Sequence, residues 1–271
     1  MKNKTEIAFS ASLLEGILKK LPRDTILVGG QSLVFWMSYY KTGGASQGVA
    51  AISMDADILG DRSHVAMIAN AIGGVAKYPP EKSMTIISGQ VILPVGDSGF
   101  VNIDVIHHIG TMDTDGVKRR AVEMDAEGRP FLVMHPIDVL ISRAENYRSI
   151  TDKQNAAGLK QVALSVRVAE QYVIEAAKIN EKIALKAIEK IAETACSPAG
   201  VFARKHGVEI YDAINPDKMA KLIKNKRFIS ERLPRLSAEI AAALAKTPSG
   251  NAMDRMLDRA KRSRPGTGAK P

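Results

Sequence analysis

Apolar residues recur at two distinct periods along this chain, and the change of period divides it. Near the start, Ile7, Leu13, Leu14, Ile17, Leu18 and Leu21 stand at helical spacing, so a helix is expected over Glu6–Lys20, broken by Pro22-Arg23-Asp24. Thr25–Val28 is a short β-rich run ending at Gly29-Gly30, and a largely buried helix is expected over Gln31–Tyr40. A small, polar loop (43–51) leads to a second strand over Ala51–Leu59, and a further helix spans His64–Ile72 before Gly73-Gly74. Thr85–Leu93 and Phe100–His108 read as two strands joined by a tight turn over residues 94–99, and Pro130–Met134 as another strand.

After Pro136 the texture changes. Ile137–Tyr147, Gly158–Ile179, Glu181–Ala195, Pro216–Ile223 and Phe228–Lys246 carry helical periodicity rich in Ala, Leu, Ile, Lys and Glu, with no convincing strand among them. The expected organisation is α+β: a mixed β-sheet core with flanking helices over residues 1–135, then an all-α helical bundle over 136–262. Residues 263–271 read as a disordered basic tail.

Composition sharpens this only in part. A chain of 271 residues, 45% hydrophobic and 25% charged, is long enough to bury a sizeable core. Lys and Arg exceed Asp and Glu by 38 to 29, a formal charge of +9 that favours polyanionic partners such as nucleic acid or nucleoside triphosphates. Lys261, Arg262, Arg264 and Lys270 contribute to that excess from the tail, where a solvated end explains them equally well. The single Cys196 excludes an internal disulfide and fits a reducing compartment. No run approaches the roughly 20 apolar residues of a membrane helix. No apolar signal segment follows the N-terminus, so a cytoplasmic protein with no membrane partner is expected.

Three stretches carry candidate chemistry. In Ser53-Met54-Asp55-Ala56-Asp57-Ile58-Leu59 the two acids are two apart, so a strand turns both carboxylates to one face. Adjacent carboxylates repel and raise one another's pKa, a conflict that a hard divalent cation relieves. A strand end showing two aspartates to solvent is the plainer alternative. In Val101-Asn102-Ile103-Asp104-Val105-Ile106, Asp104 sits within an apolar strand, where an ionised acid needs a partner, either a basic side chain or a metal. In Gly29-Gly30-Gln31-Ser32 the glycines permit a tight turn and close approach of a phosphate, the following helix offers free N–H groups, and Ser32 adds a hydroxyl. An ordinary strand-to-helix turn has the same composition.

The order strand, Gly-Gly-x-Ser, helix, strand with Asp-x-Asp, later strand with Asp resembles the nucleotidyltransferase superfamily related to DNA polymerase beta. Within it the chain looks most like the minimal and abortive-infection (AbiEii-type) toxin nucleotidyltransferases, over residues 1–155. That resemblance implies an enzyme moving NMP from an NTP to a hydroxyl acceptor (RNA or tRNA, protein, or a small molecule), as the toxin of a toxin–antitoxin or phage-defence system. Gly29, Gly30 and Ser32 would hold the triphosphate. Asp55, Asp57 and Asp104 would bind Mg²⁺ or Mn²⁺ and act in catalysis. Arg143 stands where the family carries a Lys, and with Lys153 would bind the triphosphate; a cognate antitoxin protein would be a partner. The competing expectation is a catalytically inactive protein of the same fold that binds nucleic acid or a partner protein; a hydrolase using the same acids is a third.

Other features have plainer readings. His107-His108 lacks the companion ligands of a transition-metal site. Phe35, Trp36, Tyr39 and Tyr40 are expected in the core. Arg119-Arg120 and Lys224-Asn225-Lys226-Arg227 read as solvated basic clusters.

Overall fold

The computed structural model describes residues 5–42 and 55–245, and within them an α+β architecture built on one mixed sheet. In chain order the first part comprises β1 (Thr5–Glu6), α1 (Ala11–Leu18), β2 (Ile26–Val28), α2 (Gly29–Tyr39), β3 (Ala56–Leu59), α3 (Arg62–Ile72) and β4 (Val75–Lys77). It continues through β5 (Ile87–Val95), β6 (Gly99–Ile106), α4 (Thr114–Arg120), β7 (Val122–Ala126) and β8 (Arg129–Val133). Helices α5 (Pro136–Ser149), α6 (Ala156–Ile179), α7 (Glu181–Cys196), α8 (Pro198–Lys205), α9 (Pro216–Leu222) and α10 (Leu233–Ala245) follow.

The sheet order is β4-β5-β6-β3-β2-β8-β7, with β1 pairing onto the start of β6. Strands β3 and β6 are parallel, and β2 is antiparallel to β3 yet parallel to β8. That mixture of directions brings the C-terminal ends of β2 and β8 to the same edge as the start of β3. The turn after β2, the acids of β3 and the entry to α5 therefore converge.

Strand β6 shows why the register is secure. Val101, Ile103 and Val105 are fully buried on one face, while Asn102 and Asp104 lie on the other, half-buried. Each buried aliphatic side chain contributes about 1.5–3 kcal/mol, and a one-residue slip would turn all three outward. Behind the sheet, Trp36 of α2 is buried and its indole N–H donates to the Met134 carbonyl at 2.8 Å, tying α2 to the end of β8. Phe35 and Tyr40 pack against Trp36 and the core, whereas Tyr39, also expected in the core, is exposed, although its ring edge touches Trp36.

Buried apolar side chains form two clusters. One gathers the sheet with α1–α3 and takes in Val139, Leu164 and Val168; the other lies among α5–α10. Helices α5 and α6 contribute to both, so the two halves share a wall. Among the described residues, no helix is long and apolar enough to cross a membrane.

Several expected boundaries move. The first helix starts at Ala11, because the Ser10 hydroxyl accepts from Leu13 N–H at 3.1 Å and caps it there, while Thr5–Glu6 pairs with β6 instead. Strand β5 runs through Pro94 to Val95, leaving a turn of Gly96–Ser98 with Gly96 at φ 61°. Pro94 is tolerated because β4 pairs β5 only as far as Ile92, so no partner on that side needs its missing N–H. Of the strand expected over 51–59, Ala56–Leu59 is extended and Asp55 is a bend just before it. Residues 51–54, the 43–51 loop and the 263–271 tail lie outside the described residues. The helix expected from Phe228 begins as a π-helical turn over Phe228–Arg232 before α10.

Candidate metal and anion cleft

Three carboxylates, two from adjacent strands and one from the bend just before β3, meet at the edge where β2 and β8 end. Asp57 of β3 lies in register with Asp104 of β6 on one side and with Val28 of β2 on the other. One carboxylate oxygen from each of Asp55, Asp57 and Asp104 falls within 4.8 Å of the others, although Asp55 precedes the strand by one residue.

Asp57 is strongly perturbed. Its carboxyl is pushed up from 3.8 to about 6, first by burial, then by the charges of Asp55 and Asp104, with Arg143 and Lys153 acting in the opposite sense. Asp104 is oriented by two amides: Gln90 Nε2 and Asn102 Nδ2 both donate to its Oδ1, at 2.8 and 2.7 Å. Its second oxygen has no hydrogen-bond partner among the described residues. Three clustered, half-buried hard-oxygen donors, one of them held against ionisation, fit an oxygen-preferring divalent cation such as Mg²⁺ or Mn²⁺.

The turn beside them is shaped by Gly29. It adopts φ 67°, and a Cβ built there would lie 1.8 Å from Asp57 Oδ2. Only glycine allows both the left-handed backbone and the close passage of this carboxylate. Gly29 and Gly30 form the first turn of α2, and Val28 at its N-cap supplies no side-chain hydrogen bond. Ser32 departs from expectation. It is fully buried, its hydroxyl donates to the Gly29 carbonyl at 2.8 Å, and it does not line the cleft, so it braces the turn instead of facing a ligand.

The opposite wall comes from the helices. Arg143 of α5 is 8% exposed; its Nη1 donates to Gln161 Oε1 at 3.3 Å and its Nη2 to Ser142 Oγ at 3.1 Å. Its Nε has no partner, and among the described residues no carboxylate lies within ion-pair distance of it. Burial holds the guanidinium below its ordinary pKa, against the attraction of Asp57 and Asp55. Lys153, in a 3-10 turn over Thr151–Lys153, lines the same cleft of about 290 Å³ as the acids, Gly29, Gly30 and Arg143. Every residue expected at the site except Ser32 is thus gathered in one place.

Four contributors escaped the sequence. Asn102 was legible in principle, two residues from Asp104 on the same face, but Gln90, Asn146 and Gln161 reach the site only through strand register and helix packing. His108 lines the cleft and shares a 2.9 Å hydrogen bond with Thr114 Oγ1, while His107 is exposed. Neither joins the acidic group. Arg120 is spent on Asp138, and Arg227 pairs with Glu231 at 3.2 Å.

No protein-family model matches the chain, and no curated protein matches it. Among solved structures, the chain aligns with the crystal structure of JHP933 from Helicobacter pylori at 12% identity, over 92% of this chain and 95% of that one, with a TM-score of 0.35. Similarity at that level carries no functional argument.

Proposed function

We propose that the cleft is the active site of a metal-dependent nucleotidyltransferase, with the nucleotidyltransferase-like core formed by the sheet and its flanking helices. One observation carries the reading. A cluster of three carboxylates lines the same cleft as a buried guanidinium, and among the described residues none of the three lies within ion-pair distance of it. A buried cation without an ion pair is costly, and so is a crowd of half-buried carboxylates. A cation held by the acids and a polyphosphate reaching Arg143 and Lys153 would satisfy both at once.

When bound, Mg²⁺ or Mn²⁺ would neutralise the triphosphate and polarise its α-phosphate. Asp55, Asp57 and Asp104 would hold that cation. Gly29 and Gly30 let the phosphate chain approach the backbone. Arg143 and Lys153 would bind the β- and γ-phosphates and stabilise departing pyrophosphate, Arg143 in the bidentate manner that a planar guanidinium permits. Catalysis would come mainly from positioning and charge neutralisation. The acceptor is a hydroxyl; the net charge of +9 favours RNA, tRNA included. The family resemblance of the motifs further suggests a cytoplasmic toxin of a toxin–antitoxin or phage-defence pair, with an antitoxin protein as partner.

The test is incubation with each α-labelled nucleoside triphosphate, Mg²⁺ or Mn²⁺, total RNA and total cell protein. Label should enter one acceptor class, and Asp57→Asn should abolish it. Transfer unchanged in Asp57→Asn would refute the assignment. Metal-dependent triphosphate binding without transfer would leave a binding protein of the same fold.

A further inference from the structure

On the far side of α5 lies a larger cavity, about 600 Å³, that none of the proposed chemistry uses. Asp138, Ile141 and Glu145 face it, whereas Ser142, Arg143 and Asn146 face the acidic cleft, so α5 is the partition between the two. The volume lies within the range of small-molecule sites. Ile137, Ile141 and Ala187 give it an apolar wall, with Met112 and Ile183 beside them.

Its polar groups are unevenly spent. Both oxygens of Asp138 accept from Arg120, Glu145 accepts from Arg148 at 2.9 Å, and Asp113 from Arg119 at 3.5 Å. The acceptors on the wall are therefore paired with arginines. The donors are not. At the N-cap of α5, His135 Nδ1 accepts from Ile137 N–H at 3.2 Å, which leaves the proton on Nε2. Nε2–H then donates to the Tyr172 hydroxyl oxygen at 2.8 Å. Tyr172 is the acceptor in that bond, so its own O–H has no acceptor among the described residues. Burial holds His135 down at about 4 and the Tyr172 phenol up, which keeps the ring neutral and the phenol protonated. Lys186, exposed at the mouth, likewise has no ion pair among the described residues.

We propose that this cavity is a second binding site, for a small amphipathic anion. An apolar ring or chain lies against Ile137, Ile141 and Ala187, and its carboxylate, sulfonate or phosphate oxygen accepts from Tyr172 O–H and meets Lys186. The inference does not depend on nucleotidyl transfer and stands or falls separately.

The probe is 8-anilinonaphthalene-1-sulfonate, an apolar ring system bearing one anion, titrated into the full chain by fluorescence. Saturable binding of one dye per chain is expected. Tyr172→Phe should weaken it about tenfold, the worth of a hydrogen bond to a charged acceptor, and Lys186→Ala about threefold, as suits an exposed charge. Ala187→Phe, which fills the cavity, should abolish it. The uncharged analogue N-phenyl-1-naphthylamine should bind more weakly and be indifferent to Tyr172→Phe. Circular dichroism and thermal melting of each variant separate lost binding from lost folding, and Lys186→Ala, at an exposed position, serves where Tyr172→Phe does not fold. No saturable binding, or affinity unmoved by both substitutions, overturns the proposal. So does dye binding that falls with Arg143→Gln but not with Tyr172→Phe, because the dye has then entered the acidic cleft.

Discussion

Replacing Asp57 by asparagine removes one negative charge from the acidic cluster and keeps the side chain nearly the same shape, beside a glycine that tolerates no added bulk. The expected consequence without metal is a more stable protein. Asp57 titrates near 6 in the folded chain against 3.8 when unperturbed, so between those values the folded state holds more protons than the unfolded one. Stability from this group therefore falls as pH rises through that window, and above it the full penalty stands. At about 1.4 kcal/mol per tenfold, the displacement amounts to at most about 3 kcal/mol. Urea unfolding in a chelator should show Asp57→Asn equal to wild type near pH 4 and more stable by up to about 3 kcal/mol at pH 8. Saturating Mg²⁺ or Mn²⁺ should then stabilise wild type, following mass action, and stabilise the variant far less. A variant no more stable than wild type at pH 8 in chelator would show that Asp57 carries no such strain, and the electrostatic case for a cation would fail with it.

Three other substitutions test separate parts of the structure. Gly29→Ala, which forces a Cβ against Asp57 at a positive φ, should cost about 2–4 kcal/mol in urea unfolding and remove metal-dependent stabilisation; a fully stable, metal-responsive variant would contradict the geometry. Arg143→Gln should raise the triphosphate KM at least tenfold with little loss of stability, because among the described residues the guanidinium has no ion pair to lose; a large drop in melting temperature without a change in KM would make it structural. Arg120→Ala strips the buried Asp138 of its bidentate partner and should cost about 3 kcal/mol, a loss Asp138→Asn in the same chain should partly restore. His135 supplies a pH test of opposite sign to Asp57. With its folded pKa near 4, its contribution is complete above the unfolded value of 6.5 and is lost as pH falls between the two, and His135→Gln should flatten that part of the stability profile.

The acidic half of the cleft was legible in the sequence because strand geometry is local. Asp55 and Asp57 are two apart, and Asp104 sits in a strand whose alternation of buried and half-buried positions is unambiguous. Gly29 and Gly30 announce a turn, and the close passage of Asp57 explains why it must be glycine. Ser32 was misplaced because composition cannot show where a hydroxyl's hydrogen bond goes; here it goes back to the Gly29 carbonyl. Arg143 was placed by motif, but its burial without an ion pair among the described residues is a product of helix packing that no local pattern encodes. Edge strands β4 and β7 and the short helices α4 and α8 escaped for a related reason: too short, or too polar on both faces, to carry a period. The pairing of His135 with Tyr172 joins residues 37 positions apart and defines a cavity that the sequence alone did not suggest.

The shared wall has a consequence in time. Every acid of the cleft lies before residue 107, whereas Arg143 arrives with α5 and becomes buried only against α6. At the roughly 5–20 residues per second of synthesis, a nascent chain holds the carboxylates for several seconds before their counterpart is made. On the proposed reading of the cleft, the unfinished chain would carry the carboxylates of a cation site without the guanidinium that would grip triphosphate. Ribosome-stalled chains long enough to expose residues 1–135 and 1–180 outside the exit tunnel should therefore differ in nucleotide capture but not in cation capture; equal nucleotide capture by both would place the anion grip within the sheet itself. If the cleft binds as proposed, this order of synthesis would leave an unfinished chain with its acids in place and without the anion grip that Arg143 would complete.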